Sequence, residues 1–150
     1  MKQFIYRLAY PFVQMYWRVF RPKTSGVKVI IERDGSILMI KNSYGGSKWN
    51  LPGGGIKKGE APIEAAIREA REEVGVRLAS SDLQEPGNYV TDHEGKIDTV
   101  YVFHGRTEQL PKIDDDEIML AEWFSIDGLP DQIALQAQKS LALWATKTPR

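Results

Sequence analysis

Glu69, Glu72 and Glu73 fall close together in a stretch whose apolar residues recur at three and four. On a helix turning about 100° per residue, the three carboxylates occupy an arc of roughly 100°, and residues three and four apart are surface neighbours. Ile63, Ala66, Ile67, Ala70 and Val74 fall on the opposite side, the spacing of a face that packs on a core. Such a helix is seated by one face and concentrates negative charge on the other. That charge suits a hard divalent cation, which takes oxygen ligands from one or two carboxylates, from water and from substrate phosphates. The plainer alternative is a solvated acidic face paired by Arg68 and Arg71.

Several elements must position these side chains. The helix is expected to start near Ala61, with Pro62 in its first turn where a missing N–H costs nothing, and to stop at Gly75. Gly53-Gly54-Gly55 before it permit positive φ and close backbone approach. Val27–Ile31 and Ile37–Ile40 read as strands joined by a hairpin at Asp34-Gly35. Further strands are expected at Asn88–Thr91, at Thr99–His104 and at Glu117–Phe124, the last preceded by Asp114-Asp115-Asp116. A C-terminal helix is expected from Leu129 to about Thr146, with Asp131 near its start. Short strands with one central and one terminal helix give an α/β class, helices covering a small mixed sheet.

Gly54, then Glu60 six positions on, then Arg68-Glu69-Ala70, Glu72-Glu73 and Gly75-Val76 resemble, position for position, the signature of the Nudix hydrolases. Ala70 is small for the apolar slot. The match covers the 23 positions from Gly54 to Val76 and extends loosely to Trp49–Gly53 and to Glu117-Ile118. It implies a Nudix-type α/β/α sandwich and hydrolysis of a diphosphate linkage with Mg²⁺ or Mn²⁺. The substrate class it implies is a small nucleoside diphosphate derivative, such as ADP-ribose or another nucleotide sugar, or a nucleoside triphosphate. Glu69 and Glu73 are the first choice as metal ligands, joined by the Gly53 carbonyl, with Glu72 the next ligand or the base. Glu117 is the residue expected to reach the site from outside the helix. Arg68 is expected to hold Glu72 as an i, i+4 pair, while Gly54, Glu60 and Gly75 are structural parts of the motif. Lys41 is a candidate for phosphate, as are Arg21 and Lys23, and Tyr44 or Trp49 could offer a stacking surface. The alternative in another class is a catalytically silent nucleotide-binding sensor.

Composition narrows the classes further. With 150 residues, zero formal net charge and no cysteine, the chain has no disulfide, thiolate nucleophile or Cys-ligated zinc, and its net charge gives no sign of a nucleic-acid binder. The missing cysteine also argues against an isoprenoid diphosphate isomerase, whose chemistry in the family calls on one. Six of the twenty basic residues and no acid lie in residues 1–31, which leaves the remainder at net −6. Residues 1–22 form a separate aromatic, basic segment, read as two short helices or one helix kinked at Pro11, ahead of a catalytic domain at 23–150. Its apolar side is expected to pack on the domain or on a sister subunit in a homodimer, to lie on an anionic membrane surface, or to belong to a targeting segment. It lacks the uninterrupted apolar core of a secretory signal, so the expected location is the cytoplasm.

Overall fold

The computed structural model describes residues 2–44, 46–93, 95–113 and 116–148, with the backbone alone for 2–8 and 93. Asp114 and Asp115 lie outside the described residues. The element order is α1 (Lys2–Phe20), β1 (Lys23–Arg33), β2 (Ser36–Asn42), α2 (Pro62–Val74), β3 (Leu83–His93), β4 (Lys96–Arg106), β5 (Ile118–Ser125) and α3 (Leu135–Lys147). The five strands form one sheet in the order β3-β4-β1-β2-β5. β1 and β4 run parallel, and every other neighbouring pair is antiparallel. The β1–β2 hairpin turns at Asp34 (φ 49°) and Gly35 (φ 72°), the doubly positive pair that matches the twist of the flanking strands.

Alternation along β1 and β2 builds the two layers. Val27, Val29, Ile31, Leu38 and Ile40 point to one face and pack with Ala65, Ala66, Ala70 and Val74 of α2. Ile30, Ile37 and Met39 point to the other and pack with Ala137, Leu141 and Trp144 of α3. The result is the expected α/β/α sandwich with a small mixed sheet. Three of the four buried apolar side chains of α2 are alanines, so this helix lies close against the sheet. The smallness of Ala70 follows from that approach.

α3 begins six residues later than the Leu129 expectation. Trp49 N–H donates to the Gln132 carbonyl and Ala134 N–H donates to the Trp49 carbonyl, both at 2.8 Å. This pairing holds the chain extended up to Ala134 (φ −62°, ψ 144°). Asp131 is therefore exposed ahead of the helix and does not sit in its first turn.

α1 is assigned as one helix through Pro11. It meets the domain through Trp17, whose ring lies 4.4 Å from Lys96 Nζ, and the chain just after it through the Arg21–Asp92 ion pair. Phe12, Met15, Tyr16, Val19 and Phe20 point to solvent. Among the described residues no helix is long and apolar enough to cross a membrane.

Candidate active site

α2 is framed by local chemistry before packing matters. Pro62 opens it, the Glu64 carboxylate accepts a 2.9 Å hydrogen bond from Ala61 N–H, and Gly75 closes it at φ 67° with its N–H on the Arg71 carbonyl. The glycine turn is wedged between this helix and β1. Val27 N–H donates to the Gly54 carbonyl (2.9 Å) and Val29 N–H to the Pro52 carbonyl (2.8 Å). Gly53 has φ 149°, and a Cβ on it would stand 2.1 Å from the Val27 carbonyl oxygen. A Cβ on Gly54 would stand 2.6 Å from Glu69 Oε1. Gly53 needs glycine because its φ is positive and the β1 backbone blocks a side chain, whereas a Cβ on Gly54 would displace the Glu69 carboxylate.

The turn draws two glutamates together. Gly53 N–H donates to Glu73 Oε2 at 2.7 Å, and the Glu69 carboxylate lies against Gly54. Glu73 is only 7 % exposed. Burial pushes its carboxyl up to about 7, opposed by the Gly53 N–H and by Lys28, and the neighbouring negative charges of Glu69 and Glu117 add to the rise. Burial also raises Glu69, and Arg68 opposes it. Two carboxylates of like charge are thus pushed towards neutrality by burial, against the pull of Lys28 and Arg68.

Arg68 organises the motif. Its guanidinium donates to Glu60 through Nε (2.7 Å) and Nη2 (3.0 Å), to Glu69 (2.5 Å), to Glu72 (3.2 Å) and to the Gly55 carbonyl (2.9 Å). The expected i, i+4 pair with Glu72 is present but is the longest of these contacts. The grip on Glu60 is forked, which suits guanidinium and not ammonium. Hydrogen bonds from Arg68 and from Lys57 N–H hold the Glu60 carboxyl down at about 2.

Beside the turn opens a cleft of about 760 Å³, whose walls include Lys28, Tyr44, Gly53, Asp98 and Gln136. Tyr44 donates to Glu117 Oε2 at 3.1 Å. Burial, then the Glu117 charge, pushes its hydroxyl up to about 12. Glu117 sits in the turn just before β5, one residue earlier than a strand position.

A family model described as the NUDIX domain matches residues 22–144. The chain belongs to the Nudix family. It is 39 % identical over 98 residues to a nucleoside triphosphate pyrophosphatase/Nudix hydrolase fusion protein of Bifidobacterium longum, covering 63 % of this chain and 20 % of that protein. It is 33 % identical over 106 residues to the oxidized purine nucleoside triphosphate hydrolase of Danio rerio, covering 68 % of this chain and 66 % of that one. The crystal structure of a MutT NUDIX hydrolase from Burkholderia pseudomallei superposes with a TM-score of 0.71 at 26 % identity, covering 81 % of this chain and 97 % of that one. The chain thus spans from a fifth to about two thirds of the length of these two curated relatives.

Within the Nudix helix the three glutamates do not converge equally. Glu69 and Glu73 meet at the glycine turn, whereas the Glu72 side chain is 45 % exposed at the rim. Among the described residues no group of three or more His, Cys, Asp or Glu side chains forms a metal cage. The two inner carboxylates nevertheless fit a hard cation, being buried oxygen donors that repel each other. Nor do all three lie off the packed face, because Glu73 is buried beside the core alanines.

Two of the weaker candidates are placed elsewhere. Trp49 is 8 % exposed, stacked edge-on against Phe124 at 4.8 Å within the α3-side core. Lys41 lies over that ring at 4.6 Å and is not part of the cleft wall. Arg21 is engaged with Asp92, while Lys23 does line the cleft. His104 is structural, bonded to Glu32 at 2.7 Å and packed on Trp144.

Lys28 escaped the sequence reading. It is 7 % exposed, donates to the Leu51 carbonyl at 3.2 Å and lines the cleft. Burial lowers its pKa against the pull of Glu73, Glu69 and Asp98. The available signal was a lysine inside the otherwise apolar run Val27–Ile31, since lysine is almost never buried without a partner.

Proposed function

We propose that this chain is a divalent-metal-dependent pyrophosphohydrolase acting on a nucleoside diphosphate derivative, a nucleotide sugar or a nucleoside triphosphate. The observation that carries the proposal is the pairing of buried Glu69 and Glu73 at a glycine turn that borders a cleft. These two side chains, with the Gly53 carbonyl, would hold Mg²⁺ or Mn²⁺. When bound, such an ion neutralises phosphate charge and acidifies a water.

The rest is done by the chain itself. Arg68 fixes Glu60, Glu69 and the Gly55 carbonyl in one network, so the carboxylates need not be reorganised as substrate enters. Lys28 donates one hydrogen bond to Leu51, and an ammonium carries three donors. Its remaining N–H groups suit a phosphate oxygen at the cleft floor. The proton of the attacking water goes to a carboxylate. Glu72, at the rim, and Glu117, oriented by the Tyr44 hydroxyl, are the two candidates, and Glu72→Gln against Glu117→Gln pH–rate profiles would tell them apart. A panel of nucleotide sugars, dinucleoside polyphosphates and nucleoside triphosphates, incubated with purified protein and Mg²⁺ or Mn²⁺, tests the reading through release of phosphate or nucleoside monophosphate.

A second reading, a silent nucleotide-binding domain, draws on the Arg68 grip on Glu69 at 2.5 Å, which competes with a metal. Nucleotide binding without metal-dependent product release across the whole panel would favour it.

A further inference from the structure

Phe12, Met15, Tyr16, Val19 and Phe20 recur at three and four along α1 and share one arc of roughly 140° on the helix. The domain covers none of them: Phe12, Val19 and Phe20 are 70, 68 and 67 % exposed, Met15 62 % and Tyr16 53 %. The other side of the helix is the side that is held. Trp17 carries Lys96 Nζ 4.4 Å over its ring and takes the edge of Tyr10 at 6.3 Å. The Arg18 backbone lies so close to the β3–β4 turn that a Cβ on Gly95 would stand 2.9 Å from Arg18 Cα. Held in this way, α1 keeps its apolar stripe turned outwards. The charge around it has one sign. Residues 1–31 contain six basic side chains and no acid, against net −6 for the remainder. Arg21 is engaged with Asp92 and Lys28 is buried, whereas Arg18 and Lys23 are exposed.

We infer that α1 docks this chain on a membrane by laying its exposed stripe into the interface of an anionic phospholipid bilayer. An aromatic-rich apolar face beside a polar flank that is basic and free of acid suits that plane, where the rings sink to the headgroup boundary. Arg18, on the flank about 60° beyond Met15, can bury its stem along the rings and raise its guanidinium to the lipid phosphates. The helix lies on the surface and does not cross, since it is neither long nor apolar enough. The acidic remainder of the chain is repelled by an anionic bilayer, which confines contact to the N-terminal segment. A second copy meeting the stripe through its own α1 would set one basic, acid-free segment against another, which like charge disfavours. Lys96, which holds Trp17, also lines the cleft, as does Lys23, so a docked α1 sets the cleft beside the lipid. The inference stands apart from the hydrolase reading.

The experiment is co-sedimentation of the full chain with vesicles of phosphatidylcholine alone or with roughly 30 % phosphatidylglycerol, in EDTA so that no metal bridges carboxylate to lipid. The wild type should bind the anionic vesicles at least about tenfold more tightly than the neutral ones, and salt at about 0.5 M should remove most of that difference. Phe12→Asp with Phe20→Asp should weaken anionic binding by at least about 30-fold, and Arg18→Gln by about three- to fivefold. Circular dichroism checks the fold of each variant; should the double variant not fold, Arg18→Gln and the salt series decide. Wild-type protein that stays in the supernatant with anionic vesicles, or that binds neutral ones equally well, overturns the inference. So does a folded double variant that binds as the wild type does. Light scattering that shows a dimer dissolved by the double variant, with no vesicle binding, also overturns it and gives the stripe to a second copy.

Discussion

Replacing Glu73 with glutamine should make the metal-free protein more stable at alkaline pH and nearly inactive. The folded-state pKa of Glu73 is about 7 against an ordinary 4.5, so the folded chain holds this proton more tightly than the unfolded chain. The stability it contributes is complete below about pH 4.5 and is lost as pH rises to about 7. The cost of the ionised form is about 3 kcal/mol, at roughly 1.4 kcal/mol per pH unit. Glutamine keeps an oxygen for Gly53 N–H but buries an amide NH₂, which returns about 1–2 kcal/mol. The net gain is about 1–2 kcal/mol, or roughly 2–8 °C in Tm for a chain of this size. Thermal unfolding in EDTA should show the variant ahead at about pH 9 and level or behind at about pH 5, the gap opening across the titration of Glu73. Added Mg²⁺ should raise the wild-type Tm at neutral pH and leave the variant almost unmoved, and kcat should fall by at least about 100-fold. A Tm difference that does not change with pH, or equal stabilisation of both proteins by Mg²⁺, would refute the assignment of Glu73 as a buried, charge-starved ligand. Near-full turnover of the variant would refute its place in the reaction.

Three further outcomes follow from the same geometry. Arg68→Lys should lose the forked contact to Glu60 and the Gly55 carbonyl, costing about 1–3 kcal/mol in urea unfolding, and should lower kcat more than it raises KM. Gly53→Ala drives a methyl into the Val27 carbonyl at an unfavourable φ and should cost at least about 2 kcal/mol, whereas Gly55→Ala meets nothing within 4 Å and should be neutral; equal effects by calorimetry would contradict the turn geometry. Phe12→Asp on the exposed side of α1 should shift the stability of the chain by no more than about 0.5 kcal/mol. A larger shift would mean that the side chain is covered in solution.

Legibility in the sequence tracked how local the determining interaction was. The span of α2, its proline start, its glycine stop and the Asp34-Gly35 hairpin depend on contacts a few residues apart, and they stand where the pattern placed them. The late start of α3 depends on Trp49 pairing with residue 132, more than eighty positions away, and no periodicity reports that. Trp49 and Lys41 looked like ligand-binding types because aromatic and cationic side chains serve both roles; their contact with each other is a tertiary fact. Lys28 and Asp98 were hidden for the converse reason. Lys28 sits singly in an apolar strand and Asp98 just ahead of the strand expected at Thr99–His104, and only the parallel pairing of β1 with β4 brings the two to a shared cleft.

The placement of charge explains why this arrangement is held so rigidly. Glu73 and Lys28 are both buried, and burial drives the one towards its protonated and the other towards its deprotonated form. Neither would persist on a surface free to relax, where an exposed pair is worth at most about 1 kcal/mol. They persist because the backbone around them is over-determined: Gly53 is locked against Val27, Gly54 against Glu69, and Gly26 against the Gly54 carbonyl, which a Cβ on Gly26 would approach to 3.0 Å. Three glycines thus let strand, turn and helix close on a pair of carboxylates that water would otherwise separate. On the proposed reading, a cation bound here would relieve the desolvation cost that the buried carboxylates already carry. On that account, metal affinity and metal-free instability rise together, and a substitution that eases one should weaken the other.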